Sequence, residues 1–234
     1  MIARARLLLL TAALGCSNLT DTGGGVVALE VRAPAVTSIE VGDTVRLSAR
    51  ALDKQGDSVA TDIGWRSVDT TLIVDGTGLV TGHAPGIGRV QAVVGSLSSD
   101  PVALTVTPRA DSIVLIGPDT SSVQPGDPAS VPLVAQLTTT TPPGPLQGGT
   151  LVYTIIEPVF VSAADRTVEF ASGAVADTVT TGADGQPVIP VSISRVPGVT
   201  SPDSAIVAVS ASRAHGIPVP GSGQQFIVRF LSAP

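Results

Sequence analysis

The chain has 234 residues, of which 43% are hydrophobic, 3% aromatic and 14% charged, and its formal net charge is −6. That length fits one or two domains. An acidic balance with one lysine, Lys54, lacks the basic surface that nucleic acid or an anionic lipid face requires, and one cysteine, Cys16, leaves no partner for an internal disulfide.

The first element is a leader. Arg4 and Arg6 form a basic start, and residues 7–14 form an apolar run. About eight residues are too few for a membrane-spanning helix, which needs about 20, but they suit the core of a secretory signal. Ala13-Leu14-Gly15-Cys16 then resembles a bacterial lipobox, with Ala13 where that motif usually has Leu. The resemblance implies that residues 1–15 are a signal peptide cut before Cys16, and that the Cys16 thiol carries a diacylglyceryl group with further acylation, the palmitate type of anchor. Two or more acyl chains hold a protein stably on a membrane. Ser17, where an inner-membrane retention signal would have Asp, points by the same resemblance to the outer membrane. The competing reading is an ordinary export signal followed by an incidental cysteine. Residues 16–26 are polar and glycine-rich, a flexible tether. Loss of Arg4 and Arg6 with the leader takes the charge from −6 to about −8.

From residue 27 helical periodicity is nearly absent, and short β-rich runs recur between Gly, Pro, Asp and Ser. Val45, Leu47, Ala49 and Ala51 alternate with Thr44, Arg46, Ser48 and Arg50, a strand with one face in and one face out. Ile63 and Trp65, then Val90, Ala92 and Val94, then Val102, Leu104 and Val106 repeat the pattern. The spacing predicts a β-sandwich over 27–107. Trp65, the one tryptophan, is predicted to fill its middle, the alternative being a ligand-stacking ring. Within this stretch Val41-Gly42-Asp43-Thr44, Trp65-Arg66-Ser67, Val74-Asp75-Gly76-Thr77-Gly78-Leu79-Val80-Thr81-Gly82 and Ala84-Pro85-Gly86 occur in order. They resemble a bacterial Ig-like domain of group 2 over residues 28–107, and the resemblance implies an immunoglobulin-like sandwich. Asp69, Asp75 and Asp100 are candidate calcium ligands by residue type. Their spacing fits no EF-hand loop, and the turn motif accounts for Asp75.

Residues 108–111 form a short linker, and a second β-rich region occupies 112–234. Its predicted strands are 112–116, 130–137, 150–156, 167–170, 174–181, 187–194, 204–212 and 225–231. Over 188–195 one face is apolar (Ile189, Val191, Ile193), and over 206–211 both faces are. Thr180-Thr181-Gly182-Ala183-Asp184-Gly185-Gln186-Pro187, the Pro197-Gly198 loop and the Ile206-Val207-Ala208-Val209 strand are similar to the invasin and intimin type of bacterial Ig-like domain, with Gly182 replacing that family's Asp. The long Thr- and Pro-rich stretch 138–149 has two readings at residues 138–145. One is a flexible or polyproline-like loop tip. The other is a site of glycosylation or partner contact.

No catalytic residue is expected. His83 and His215 are the only histidines; each stands in a Gly/Pro-bounded turn without flanking carboxylates or thiolates, so no metal site is expected. There is no nucleophile elbow and no zinc-helix motif, and an Ig-like sandwich offers loops rather than the carboxylate-lined cleft of a glycosidase. No cofactor is expected, and the ligand-binding residues are unknown from sequence. The expected architecture is all-β, two tandem immunoglobulin-like sandwiches behind a cleaved signal peptide. The expected function is non-catalytic: an exported, membrane-anchored lipoprotein displaying Ig-like domains for adhesion to a protein or polysaccharide ligand. The alternative is a structural spacer or accessory subunit of a cell-envelope complex.

Overall fold

The structure is a computed structural model that describes residues 25–32, 34–199 and 203–232; the expected signal peptide (residues 1–15) and Cys16 lie outside the described residues. Short alternating runs of β-branched residues become strands, and glycines in turns separate them. The described residues hold no α-helix, only two one-turn 3-10 segments, Ala163–Asp165 and Ala214–Gly216.

The first half contains β1 (Ala28–Arg32), β2 (Ser38–Glu40), β3 (Thr44–Arg46), β4 (Ser48–Leu52), β5 (Ser58–Val59), β6 (Gly64–Ser67), β7 (Leu72–Val74), β8 (Leu79–Gly82), β9 (Gly86–Val94), β10 (Leu97–Ser98) and β11 (Val102–Thr107). β9 is the hub: β6, β10 and β11 all pair with it antiparallel, and β2 adds to β11 in parallel, Ser38 opposite Thr105. The predicted strand at 44–51 changes sheet halfway. β3 pairs with β8, whereas β4 pairs with β1 and β5. Leu47 stands at the change, 3% exposed, and donates its N–H to Gly78 O at 2.9 Å. One strand thereby ties both layers to a single core of Ile39, Val41, Leu47, Leu72, Val80, Val90, Leu104 and Val106. Trp65 departs from expectation. It is half-buried and packs against this cluster from the side, because β6 pairs only with β9 and the aliphatic side chains already fill the centre.

The second half contains β12 (Ser112–Ile116), β13 (Thr120–Val123), β14 (Val134–Thr140), β15 (Pro143–Pro145), β16 (Thr150–Glu157), β17 (Val168–Phe170), β18 (Ala176–Thr180), β19 (Ile193–Arg195), β20 (Ser204–Ser210) and β21 (Gln224–Phe230). One sheet runs β13-β21-β20-β16-β18; a second runs β12-β14-β15, and β17 pairs with β19. The two larger sheets close on a core that includes Leu137, Leu151, Tyr153, Phe170, Ile193, Val207, Val209 and Phe226. Tyr153 on β16 and Phe226 on β21 stack at 6.3 Å. The Tyr153 hydroxyl accepts the N–H of Ala135 on β14 at 3.1 Å, joining one sheet to the other through the core.

Three details differ from the sequence expectation. The predicted strand 187–194 shrinks to β19; Val188 and Ile189 are 66% and 69% exposed, and only Val191 and Ile193 enter the core. Pro187 and Pro190 have no N–H to give to a ladder there. The stretch 138–145 is a hairpin rather than a loop tip. β14 continues through Thr140, β15 folds back on it with Thr138 opposite Pro145, and Thr139 is buried. β13 escapes the sequence pattern because Thr-Ser-Ser-Val has little apolar content; its parallel register on β21 supplies the partner.

Candidate functional site

Two of the three candidate calcium ligands, Asp69 and Asp75, are occupied with backbone. Asp75 Oδ1 accepts the N–H groups of Thr77 and Leu79 and the Thr77 hydroxyl. Those bonds, led by the Thr77 hydroxyl, hold its carboxyl below the usual carboxylate range. Asp69 takes the N–H of Arg89 at 3.0 Å, and Asp53 those of Gln55 and Asp57. Each is an Asx-type turn former or strand tie. Asp100 has its backbone carbonyl, not its carboxyl, engaged, by the Ser99 hydroxyl. His83 and His215 are both exposed, and among the described residues no group of three or more His, Cys, Asp and Glu is placed to hold a metal ion. All six aromatic side chains are buried or half-buried.

Charged groups converge where the two sandwiches meet. Asp111 immediately precedes β12 and its side chain is 10% exposed. Its Oδ1 accepts Arg109 Nε at 2.8 Å and Arg213 Nη2 at 3.1 Å, and its Oδ2 accepts the N–H and hydroxyl of Thr140. Burial pushes the Asp111 carboxyl up, but the Thr140 bonds and the Arg109 guanidinium outweigh it and hold the group below its ordinary value. Arg213 also donates from Nε to Ala110 O at 2.6 Å. Glu40, at the end of β2, accepts the N–H of Ala214 at 3.0 Å, a bond from one sandwich to the other. Two clefts flank this contact and share Glu40. One, of about 360 Å³, is lined by Ile39, Val45, Asp43 and His215; the other, of about 370 Å³, by Pro108, Leu137, Leu146 and Thr150.

The sequence reading marked 108–111 as a linker but attached no role to Glu40, Arg109, Asp111 or Arg213. The available signal was the Arg-Ala-Asp run inside a four-residue connector. Glu40 and Arg213 are 173 positions apart, and only the tertiary fold brings them to one place. At the opposite end of the second sandwich, β16 runs out into a loop where Val159 and Val161 are 82% and 95% exposed.

An all-β chain whose two halves each close their sheets on a core of their own belongs to the immunoglobulin-like class. The family comparison is more specific: residues 31–106 match the bacterial Ig-like domain (group 2), and that segment is such a domain. No curated protein matches the chain. Among solved structures, the Yersinia pseudotuberculosis adhesin InvE is 16% identical, with 89% of this chain and 61% of that chain covered and a TM-score of 0.44. The D00-D0 domain of intimin is 12% identical over 87% of this chain and 100% of that one, TM-score 0.34. Domains 4 and 5 of the S-layer protein SbsC are 18% identical over 89% and 100%, TM-score 0.32. The chain thus spans less than two thirds of the InvE structure.

Proposed function

We propose that this chain is a non-catalytic display module of the bacterial cell envelope, exported, anchored through lipid on Cys16, and presenting its two sandwiches for adhesion to a protein or polysaccharide. The observation that carries the reading is the order of parts: a leader ending in Ala13-Leu14-Gly15-Cys16, a glycine-rich tether, then a group 2 Ig-like domain at 31–106 followed directly by a second sandwich. Asp69, Asp75 and Asp111 reinforce it, since their carboxylates are spent on turns, a strand tie and the junction. Loops at the far end of the second sandwich, and strands at sheet margins such as β18, which pairs only with β16, are the surfaces such a module offers, the latter by β-addition.

The anchor has a direct test. Wild-type protein incorporates labelled palmitate and partitions into detergent, and Cys16→Ser abolishes both; labelling that survives the substitution rejects the anchor. Binding of the full chain to panels of glycans, envelope polymers and proteins separates adhesion from a spacer role. A saturable partner supports adhesion. Co-purification with an envelope complex alone supports the spacer reading, which the side-chain ties at the junction favour.

A further inference from the structure

Two sandwiches joined by a short linker and a small contact move relative to one another by default. The linker here has few ways to do so. Thr107 is the last residue of β11, and its hydroxyl donates to Ile39 O at 3.3 Å. Asp111 is already fixed to the second sandwich, its N–H donating to Thr138 O at 2.8 Å. Between them stand only Pro108, Arg109 and Ala110. The Pro108 ring fixes φ. Ala110 is 8% exposed and belongs to the second core, and its carbonyl takes Arg213 Nε. Arg109 lies across Gly42 of the first sandwich, so closely that a Cβ on Gly42 would stand 2.8 Å from its Nη1. The remaining freedom is a swing about a hinge of a few torsions.

A hinge is stopped by a tie between the two bodies outside the linker itself, and Ala214 N–H to Glu40 Oε1 is such a tie. The turn that presents the Ala214 N–H is itself held. Arg213 N–H donates to Ile217 O at 2.8 Å and Gly216 N–H to Arg213 O at 3.2 Å, and these bonds keep His215 at φ 61, ψ 17, the left-handed region. A non-glycine residue persists there when its surroundings over-determine the backbone. We propose that the two sandwiches form a single rigid arm, locked by the Glu40–Ala214 hydrogen bond outside the 108–110 hinge, with Arg213 and Asp111 clamping the hinge to the second sandwich. This goes beyond the display reading and does not depend on what is displayed. A rigid arm holds the far pole of the second sandwich at a set distance and angle, so a partner contacting both sandwiches does not have to order them on binding.

Pulsed electron spin resonance tests this on the full chain in detergent. Nitroxides go on Ser48→Cys and Thr178→Cys, exposed strand positions in the two sandwiches, with Cys16→Ser removing the native thiol. The wild-type junction gives one narrow distance peak. Glu40→Ala loses the narrow peak, and its distribution spreads towards that of a variant with two glycines inserted between Pro108 and Arg109. Glu40→Gln, which keeps a carbonyl acceptor, stays narrow. A wild-type distribution as wide as that of the glycine insertion overturns the rigid arm. A narrow peak unchanged in Glu40→Ala overturns the lock assigned to Glu40. Far-ultraviolet circular dichroism of each variant checks that both sandwiches remain folded.

Discussion

Gly78 shows how one residue connects a turn to a core. It adopts φ +79 in the hairpin between β7 and β8, and an added Cβ would stand 2.8 Å from Leu47 O and 2.9 Å from the Trp65 indole. The neighbouring Asp75 carboxylate fixes the same turn from its other side. Gly78→Ala therefore meets a left-handed backbone penalty and a clash with the Leu47 carbonyl and the Trp65 ring. The expected loss is about 2–4 kcal/mol, read as a lower denaturation midpoint by Trp65 fluorescence; a loss below about 1 kcal/mol would show that the strand change at Leu47 relaxes freely. The Asp-Gly-Thr-Gly run made this turn legible in the sequence. The depth of Trp65 was not legible, because alternation says which face a residue occupies and not how far its strand lies from the sheet margin.

Among the elements, β16 is the one most completely specified by pattern. Leu151, Tyr153 and Ile155 point inward on a strand that keeps its register on β20 up to a shift after Ile155, and the predicted 150–156 differs from the observed Thr150–Glu157 by one residue. The elements that the sequence missed lacked that pattern. β13 has one buried apolar residue, Val123, β15 is Pro-Gly-Pro, and the expected apolar face at 188–195 fails at Ile189 where proline interrupts the ladder. Tyr153, the chain's single tyrosine, makes the burial of β16 measurable. Burial pushes its phenol up to about 12, against the smaller opposing effect of the Ala135 N–H. In folded protein the tyrosinate absorbance should rise near pH 12, and in denaturant near the ordinary value of 10. Because the folded value is raised, the stabilisation is complete below pH 10 and is lost as pH rises through the interval to about 12. A native titration centred at 10 would place Tyr153 in solvent and remove the bond between the sheets.

For the whole molecule, the sequence predicted two sandwiches from two stretches of strand pattern, but beyond the Arg109-Ala110-Asp111 run in the linker it held little sign of how they meet, since Glu40 and Arg213 carry no local motif. The two cores are unequal. Among the described residues, eight buried side chains form the first cluster and twenty-three the second. Hydrophobic stabilisation scales with apolar area removed from water, about 25 cal/mol per Å², so the first sandwich is the weaker body. Trp65 belongs to the first and Tyr153 to the second, and each is the only residue of its type, so one chain carries a separate reporter for each core. In urea, Trp65 fluorescence should change at a lower concentration than the second-derivative absorbance of Tyr153. The Glu40–Ala214 bond lends the first sandwich some of the second's stability, on the order of 1 kcal/mol for one hydrogen bond. Glu40→Ala should therefore lower the Trp65 midpoint while leaving that of Tyr153 in place, widening the interval between them. Coincident transitions in wild type would mean that the two cores unfold as one cooperative unit, and an interval that Glu40→Ala leaves unchanged would mean that no stability passes through the junction.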